Sequence, residues 1–395
     1  MLNVENIFKE FLERESIFKD KSLLSLNFIP NQILHRENEI NQLKSILAPV
    51  LKGYKPSNIF IYGTCGTGKT VTTLFVLNQL NEIIEQQKLN VKTIYVNCKM
   101  KKVADTEYRM FAHLLKEFGI TVPDTGLPTN VLYRKFFDLI EENNLHLILI
   151  LDEIDVLFRK TGDDFLYNLT RITMENGDIT LIGITNDVTF SEQLDRRVKS
   201  SLMEEEIIFK PYTASQLKDI LMQRIEAFKE GVISEGVINK CAALAAQEHG
   251  DARKAIELLR VAGEIAERNG DTKVEERHVD LAQEYIDLDT TMEIVKAQPL
   301  HSQLVLYTIL QLTKEKPKLL TGEIYDAYRK YCEEIKIKPL TQRRVSDLIG
   351  ELDMLGLINA KVISKGRYGR TREVSLLLST SLKNRIESFL HLKFF

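Results

Sequence analysis

Along the first 210 residues, short apolar runs alternate with stretches whose apolar positions return every three or four residues. Runs at 59–62, 93–97, 145–151, 180–187 and 206–209 predict strands, and the 145–151 run is apolar enough to be buried on both faces of a parallel sheet. Between them, helical spacing predicts helices over 37–52, after residue 69 (Leu74, Leu77, Leu80, Ile84), over 105–118 and over 129–142. A further helical spacing precedes them all at Ile7, Phe8, Phe11 and Leu12. From 211 to about 290 the strand runs stop. Thr213 and Gln216 form a capping-box pair ahead of a helix that carries Leu217, Ile220, Leu221 and Ile225 on one face, and Asp251 is placed to cap another helix. From about 292 a third pattern begins: helices over 302–312, 321–332 and 341–355, then strands at 357–363 and 373–378 joined by a basic turn. Three helices and a hairpin predict a winged helix. The expected fold class is α/β, with a parallel sheet in 1–210, a helical domain in 211–291 and a winged-helix domain in 292–395.

Composition alters this picture in one respect. The chain has 395 residues, is 44% hydrophobic and 28% charged, and carries a net charge of −3. Residues 301–395 hold 17 lysines and arginines against 10 acidic residues, net +7; of the chain's 53 and 56, that leaves 36 against 46, net −10, for the rest. A basic end on an acidic body points to a polyanionic partner, unless the lysines only solvate a surface. Four scattered cysteines form no CxxC pair and the seven histidines no ligand-spaced cluster, so neither a disulfide framework nor a zinc site is expected. The apolar runs are too short to cross a bilayer, and the basic start of a signal peptide is missing, which predicts a cytoplasmic, nucleoid-associated protein with no membrane partner.

The candidate chemistry sits where the first strand ends. Gly63, Thr64, Cys65, Gly66, Thr67, Gly68, Lys69 and Thr70 have P-loop spacing between a strand and a helix. Glycines let backbone N–H groups close around phosphate oxygens, Lys69 reaches the β- and γ-phosphates, and the Thr70 hydroxyl suits Mg²⁺. The 145–151 strand runs into Asp152 and Glu153, the first placed to hold the metal through water and the second to deprotonate an attacking water; the pair could otherwise simply start a helix. Asn186 ends the next strand, where it can bond the γ-phosphate or the water, or open a turn. Arg196 and Arg197 suit a finger for a phosphoryl group or a solvated basic turn. Arg253 stands in a helix's first turn, a poor place for a cation without a nearby anion or a salt bridge. Pro30 and Ile33 lie in an apolar segment that packs on adenine or staples the N-terminus to the core. In the last domain, Gln342, Arg343 and Arg344 open the third helix, while Lys365, Arg367, Tyr368, Arg370 and Arg372 crowd the hairpin tip. Both sets suit duplex DNA, although winged helices also dock proteins.

Taken together, these motifs resemble the archaeal replication initiators of the AAA+ class, relatives of the largest origin recognition subunit and of the helicase-loading cell-division-cycle factor. The resemblance spans nearly the whole chain and implies a RecA-like AAA+ ATPase, a helical lid and a winged-helix DNA reader. It implies Asn186 as sensor 1, Arg253 as sensor 2 and Arg197 as the finger arginine; proline commonly stands where this chain has Arg196, so the finger is Arg197 or Arg196. It further implies ATP or ADP with Mg²⁺, slow regulatory hydrolysis, a helical insertion near 126–140 that adds a second DNA contact, and double-stranded origin DNA, the replicative helicase and initiator paralogues as partners. Two other classes fit the residues less completely: a winged-helix signalling or transcriptional switch ATPase, and a clamp-loader-like ATPase.

Overall fold

The computed structural model describes residues 15–100, 105–123, 126–162, 164–171, 174–202, 204–364 and 370–395. The helical spacing at Ile7 to Leu12 lies outside them, as do Lys365, Arg367 and Tyr368. The chain divides into two compact units, 1–279 and 280–395.

In the first unit, five parallel strands, β1 (Asn58–Tyr62), β2 (Val91–Asn97), β3 (His146–Asp152), β4 (Asp178–Thr185) and β5 (Glu204–Ile208), form a sheet of order β2-β3-β4-β1-β5. β1 is buried along its whole length and β3 along all but its first residue. This explains their unbroken apolar runs: each apolar side chain removed from water on either face contributes about 1.5–3 kcal/mol. One face packs an aromatic-rich layer in which Phe111, Phe136 and Phe165 are fully buried. Helix Thr129–Glu142, which overlaps the 126–140 segment, sends Leu132, Phe136, Phe137 and Ile140 into that layer. The other face packs the helices Glu37–Leu47 and Lys69–Gln87. Pro49 tightens the end of the first into a 3-10 turn, Ala48–Lys52. The register aligns Asn97 with Asp152 and Asp152 with Ile184, so the polar ends of β2, β3 and β4 emerge along one edge.

Beyond β5 come helices Ala214–Arg224, Glu235–Gln247 and Ala252–Asn269. The first opens with the full Thr213/Gln216 capping box, and the last is capped by the Asp251 carboxylate, which accepts from the N–H groups of Arg253 and Lys254.

In the second unit, helices Leu300–Leu312, Thr321–Glu334 and Gln342–Met354 pack with the strands β6 (Leu319–Leu320), β7 (Ile358–Ser364) and β8 (Arg370–Leu376) in the order β6-β8-β7. Tyr328 is fully buried in this core. A closing helix, Thr380–Phe394, buries Ile386 and Leu390 and was not expected from the sequence. β8 starts three residues earlier than its apolar run, so Arg372 belongs to the strand, opposite Val362, and not to the hairpin tip.

Candidate nucleotide and DNA sites

β1 delivers the chain into the glycine turn, and helix Lys69–Gln87 starts at its far end with Gly68 in the left-handed region. Lys69 is buried, and its Nζ donates to the carbonyls of Gly63 (2.7 Å) and Thr64 (2.8 Å) and to Asn186 Oδ1 (2.8 Å). Burial pushes its ammonium down to about 8, a cost that a phosphate would relieve. Thr70 Oγ1 donates to Asp152 Oδ2 at 2.8 Å, and Tyr95 Oη donates to the same oxygen at 2.7 Å. Asp152 Oδ1 accepts the Glu153 N–H at 2.9 Å. Glu153 itself has φ +53°, a left-handed conformation unusual for a side chain of this kind, and Lys99 Nζ stands 3.6 Å from its carboxylate. Hydroxyl and carboxylate oxygens converging from Thr70 and Asp152 are the hard donors Mg²⁺ prefers, so the donor set fits that ion.

A cavity of about 560 Å³ runs past these groups. Gly66, Thr67, Gly68, Lys69 and Thr70 line it together with Asp152, Glu153 and Asn186, and the helical part contributes Ala252, Arg253 and Ile256. Arg253 Nη1 also reaches Cys65 Sγ at 3.7 Å. Pro30 and Ile33 are not among the lining residues. Ile33 is buried in the apolar layer beside β1, and the preceding residues, Ser25 to Ile29, wall the cavity with Arg224 instead. Apolar character alone did not reveal which of the two neighbouring stretches faces the core. Tyr95 and Asn97, at the end of β2, also line the cavity and were missed; the shared register of β2 and β3 was the signal for them.

Arg196 and Arg197 begin helix Arg196–Leu202, and both are exposed. Neither is among the residues lining the cavity, and Arg197, 80% exposed, lies 3.8 Å from Asp195.

Cys65 is exposed on the glycine turn, whereas Cys98, Cys241 and Cys332 are buried. Burial pushes Cys98 and Cys241 up to about 12, leaving a thiolate fraction of about 10⁻⁴ at pH 8, and raises Cys332 as well. An aromatic disulfide reagent at pH 8 is therefore expected to titrate one thiol quickly in the folded protein, and saturating ADP to slow that reaction at least about tenfold. Rapid release of two or more equivalents would contradict the burial.

In the second unit, Thr341 caps helix Gln342–Met354, and Gln342, Arg343 and Arg344 are exposed on its first turn. Arg344 pairs with Glu351 at 3.3 Å. Among the described residues Arg343 makes no ion pair. Arg372 Nη1 donates to the Ser346 carbonyl at 3.1 Å, fastening β8 to this helix, and a cleft of about 440 Å³ lies between Gln342, Arg343, Ser346, Val362 and Arg372. Arg370 starts β8, and its side chain lies outside the described residues.

A five-stranded parallel sheet bearing a P-loop, with a helical lid on the same cavity and a winged helix after it, defines an AAA+ ATPase. Family models agree by segment: the AAA domain matches residues 53–187, the Cdc6 AAA+ ATPase-type lid domain 218–284, and the CDC6 C-terminal winged helix domain 293–382. The ORC1-type DNA replication protein of Thermococcus kodakarensis is 52% identical over 94% of this chain and 91% of its own length; ORC1-type DNA replication protein 1 of Archaeoglobus fulgidus is 50% identical over 94% and 90%. Among solved structures, the Aeropyrum pernix ORC1 protein in complex with DNA matches with a TM-score of 0.82 and 43% identity, covering 96% of this chain and all of that one. The chain belongs to the ORC1/Cdc6 family of AAA+ DNA replication initiators. Among the described residues no helix is long and apolar enough to cross a membrane.

Proposed function

We propose that this protein is an ATP-regulated initiator that binds double-stranded origin DNA through its winged helix and a second contact near 126–140 of the ATPase domain, and that it helps to load the replicative helicase. The observation that carries the reading is the joining of P-loop, acidic strand end and lid arginine on one cavity, in a chain whose basic unit exposes Arg343 beside a cleft. The working parts are 1–210, 211–291 and 292–395, acting in the cytoplasm on the nucleoid and alongside initiator paralogues.

In this mechanism the backbone N–H groups of Gly66 to Thr70 bind the phosphates, and Lys69 leaves its carbonyl partners for the β- and γ-oxygens. Thr70 and Asp152 would hold Mg²⁺, and the ion would supply neutralisation of phosphate charge there. Glu153 takes the proton from the attacking water, Asn186 orients that water, and Arg253 reports the γ-phosphate to the lid. Arg197 serves a neighbouring subunit's phosphate, its exposure outside its own cavity being the supporting observation; Arg196 beside it is the alternative. Hydrolysis in this mechanism is slow and regulatory, with the Lys99 ammonium 3.6 Å from the Glu153 carboxylate.

DNA titrations of the intact protein over a range of salt concentrations test the reading. Arg370→Ala should lower the magnitude of the log K against log salt slope by about 1, nearly equally on every sequence. Arg343→Ala should cost about 1–3 kcal/mol on the cognate site and little on random duplex, because a base contact discriminates whereas a phosphate contact does not. Gln342 lies beside it as a second reader, and Lys365, Arg367, Tyr368 and Arg372 are further DNA contacts in this reading. A protein with no salt-dependent DNA affinity would make the winged helix a protein dock.

A further inference from the structure

Arg36 immediately precedes helix Glu37–Leu47 and is only 4% exposed. Its Nε and Nη2 both donate to the Thr67 carbonyl, at 3.0 and 2.9 Å. Nη2 also donates to the Lys210 carbonyl at 2.6 Å, and Nη1 to that of His35 at 3.1 Å. The guanidinium carbon lies 3.9 Å from the centre of the Tyr212 ring, and Glu39 stands 3.6 Å from Nη1 to balance the charge. Lys210 and Tyr212 belong to the short connection between β5 and the first lid helix, Ala214–Arg224. Tyr212 donates its N–H to the Gly250 carbonyl at 3.3 Å, and two residues on, Ala252 N–H donates to Gly66 O at 3.1 Å. The P-loop is thus held at Gly66 by the lid and at Thr67 by Arg36, while Tyr212 lies against Gly68 so closely that a Cβ there would be 2.6 Å from its hydroxyl.

A buried guanidinium is costly unless its N–H groups and its face are all used, and here one fork grips a single carbonyl while the ring packs on the flat side. A lysine at this position could supply neither the fork nor the stack. We propose that Arg36 is a positioning residue for nucleotide binding. It fixes the Thr67 peptide with its carbonyl turned away from the cavity, so that the N–H groups that follow face the phosphates. Through Lys210 and Tyr212 the same side chain ties that orientation to the base of the lid, so phosphate occupancy and lid position share one anchor.

This inference rests on reading the cavity as a nucleotide site, and ADP and adenosine titrations of the intact protein separate the two. Arg36→Lys is expected to weaken ADP by about 10- to 100-fold, the loss that small misplacement of a binding group brings, and to leave adenosine, which has no phosphate, within about twofold. Tyr212→Leu removes the stack but not the fork and should weaken ADP by about threefold to tenfold, again sparing adenosine; it decides the matter if Arg36→Lys does not fold. Equal losses for ADP and adenosine, or ADP affinity within about twofold of the parent in a folded variant, would overturn the role of Arg36. A parent protein that binds no ADP would overturn the nucleotide reading itself.

Discussion

Replacing Glu153 by glutamine is expected to leave ADP and ATP binding intact while lowering turnover by about 10²- to 10⁴-fold, the range that removal of a general base brings. The expectation has a structural basis beyond the residue's place after Asp152. Glu153 starts helix Ile154–Thr161 at φ +53°, and glutamine is no worse suited to that conformation than glutamate, so the backbone should hold its shape. Its N–H continues to satisfy Asp152 Oδ1, which preserves the Thr70–Asp152 arrangement. What disappears is the negative charge beside Lys99 and the capacity to accept a proton from water. Single-turnover hydrolysis with nucleotide affinity measured in parallel decides it: unchanged turnover would remove Glu153 from the chemistry, and a matching fall in affinity would make its role structural.

The parts of this protein that were legible in its sequence are those that satisfy a local rule. β1 and β3 announce themselves because a strand covered on both faces must be apolar throughout, and the P-loop because its glycines must sit between such a strand and a helix. The winged helix was legible for a related reason: helices Thr321–Glu334 and Gln342–Met354 each bury one apolar face, and Leu300–Leu312 is apolar enough to be buried all round. What escaped depends on contacts distant in sequence. Arg36 reads as one charge in a polar run, and only the fold brings it to Thr67 and Lys210. The neighbouring stretches 25–29 and 30–33 both mix apolar with polar residues, and only the fold shows that the first walls the cavity while Ile33 of the second joins the core beside β1. Arg372 was decipherable in principle. Val374 is fully buried, and alternate residues of a strand share a face, so Arg372 is turned towards helix Gln342–Met354, where it bonds Ser346.

Gly66→Ala should be as damaging as any single methyl group added to this protein. Gly66 has φ +70°, where a Cβ costs about 1–2 kcal/mol in itself. That Cβ would also stand 1.6 Å from Asp251 Oδ1 and 2.1 Å from its Cγ, a collision that no small adjustment relieves. Two escapes exist. The Asp251 side chain can swing out, giving up its bonds to the N–H groups of Arg253 (2.7 Å) and Lys254 (3.3 Å), and a lost helix cap costs about 0.5–2 kcal/mol. Alternatively the lid helix lifts off the P-loop, breaking the Ala252 N–H to Gly66 O bond and carrying Arg253 away from the cavity. By the first route the total is about 1.5–4 kcal/mol, which, where it falls on the nucleotide-bound state, corresponds to a loss of roughly 10- to 1,000-fold in ADP affinity. Asp251→Gly separates the two parts of the penalty, since it removes the obstructing carboxylate but not the backbone strain. In the double variant Gly66→Ala with Asp251→Gly, the cost of the alanine should shrink by about 1–2 kcal/mol relative to its cost alone, a coupling typical of residues in direct contact. Strictly additive losses in ADP affinity across this cycle would show that the lid cap does not press on the P-loop, and that the left-handed backbone alone makes the glycine necessary.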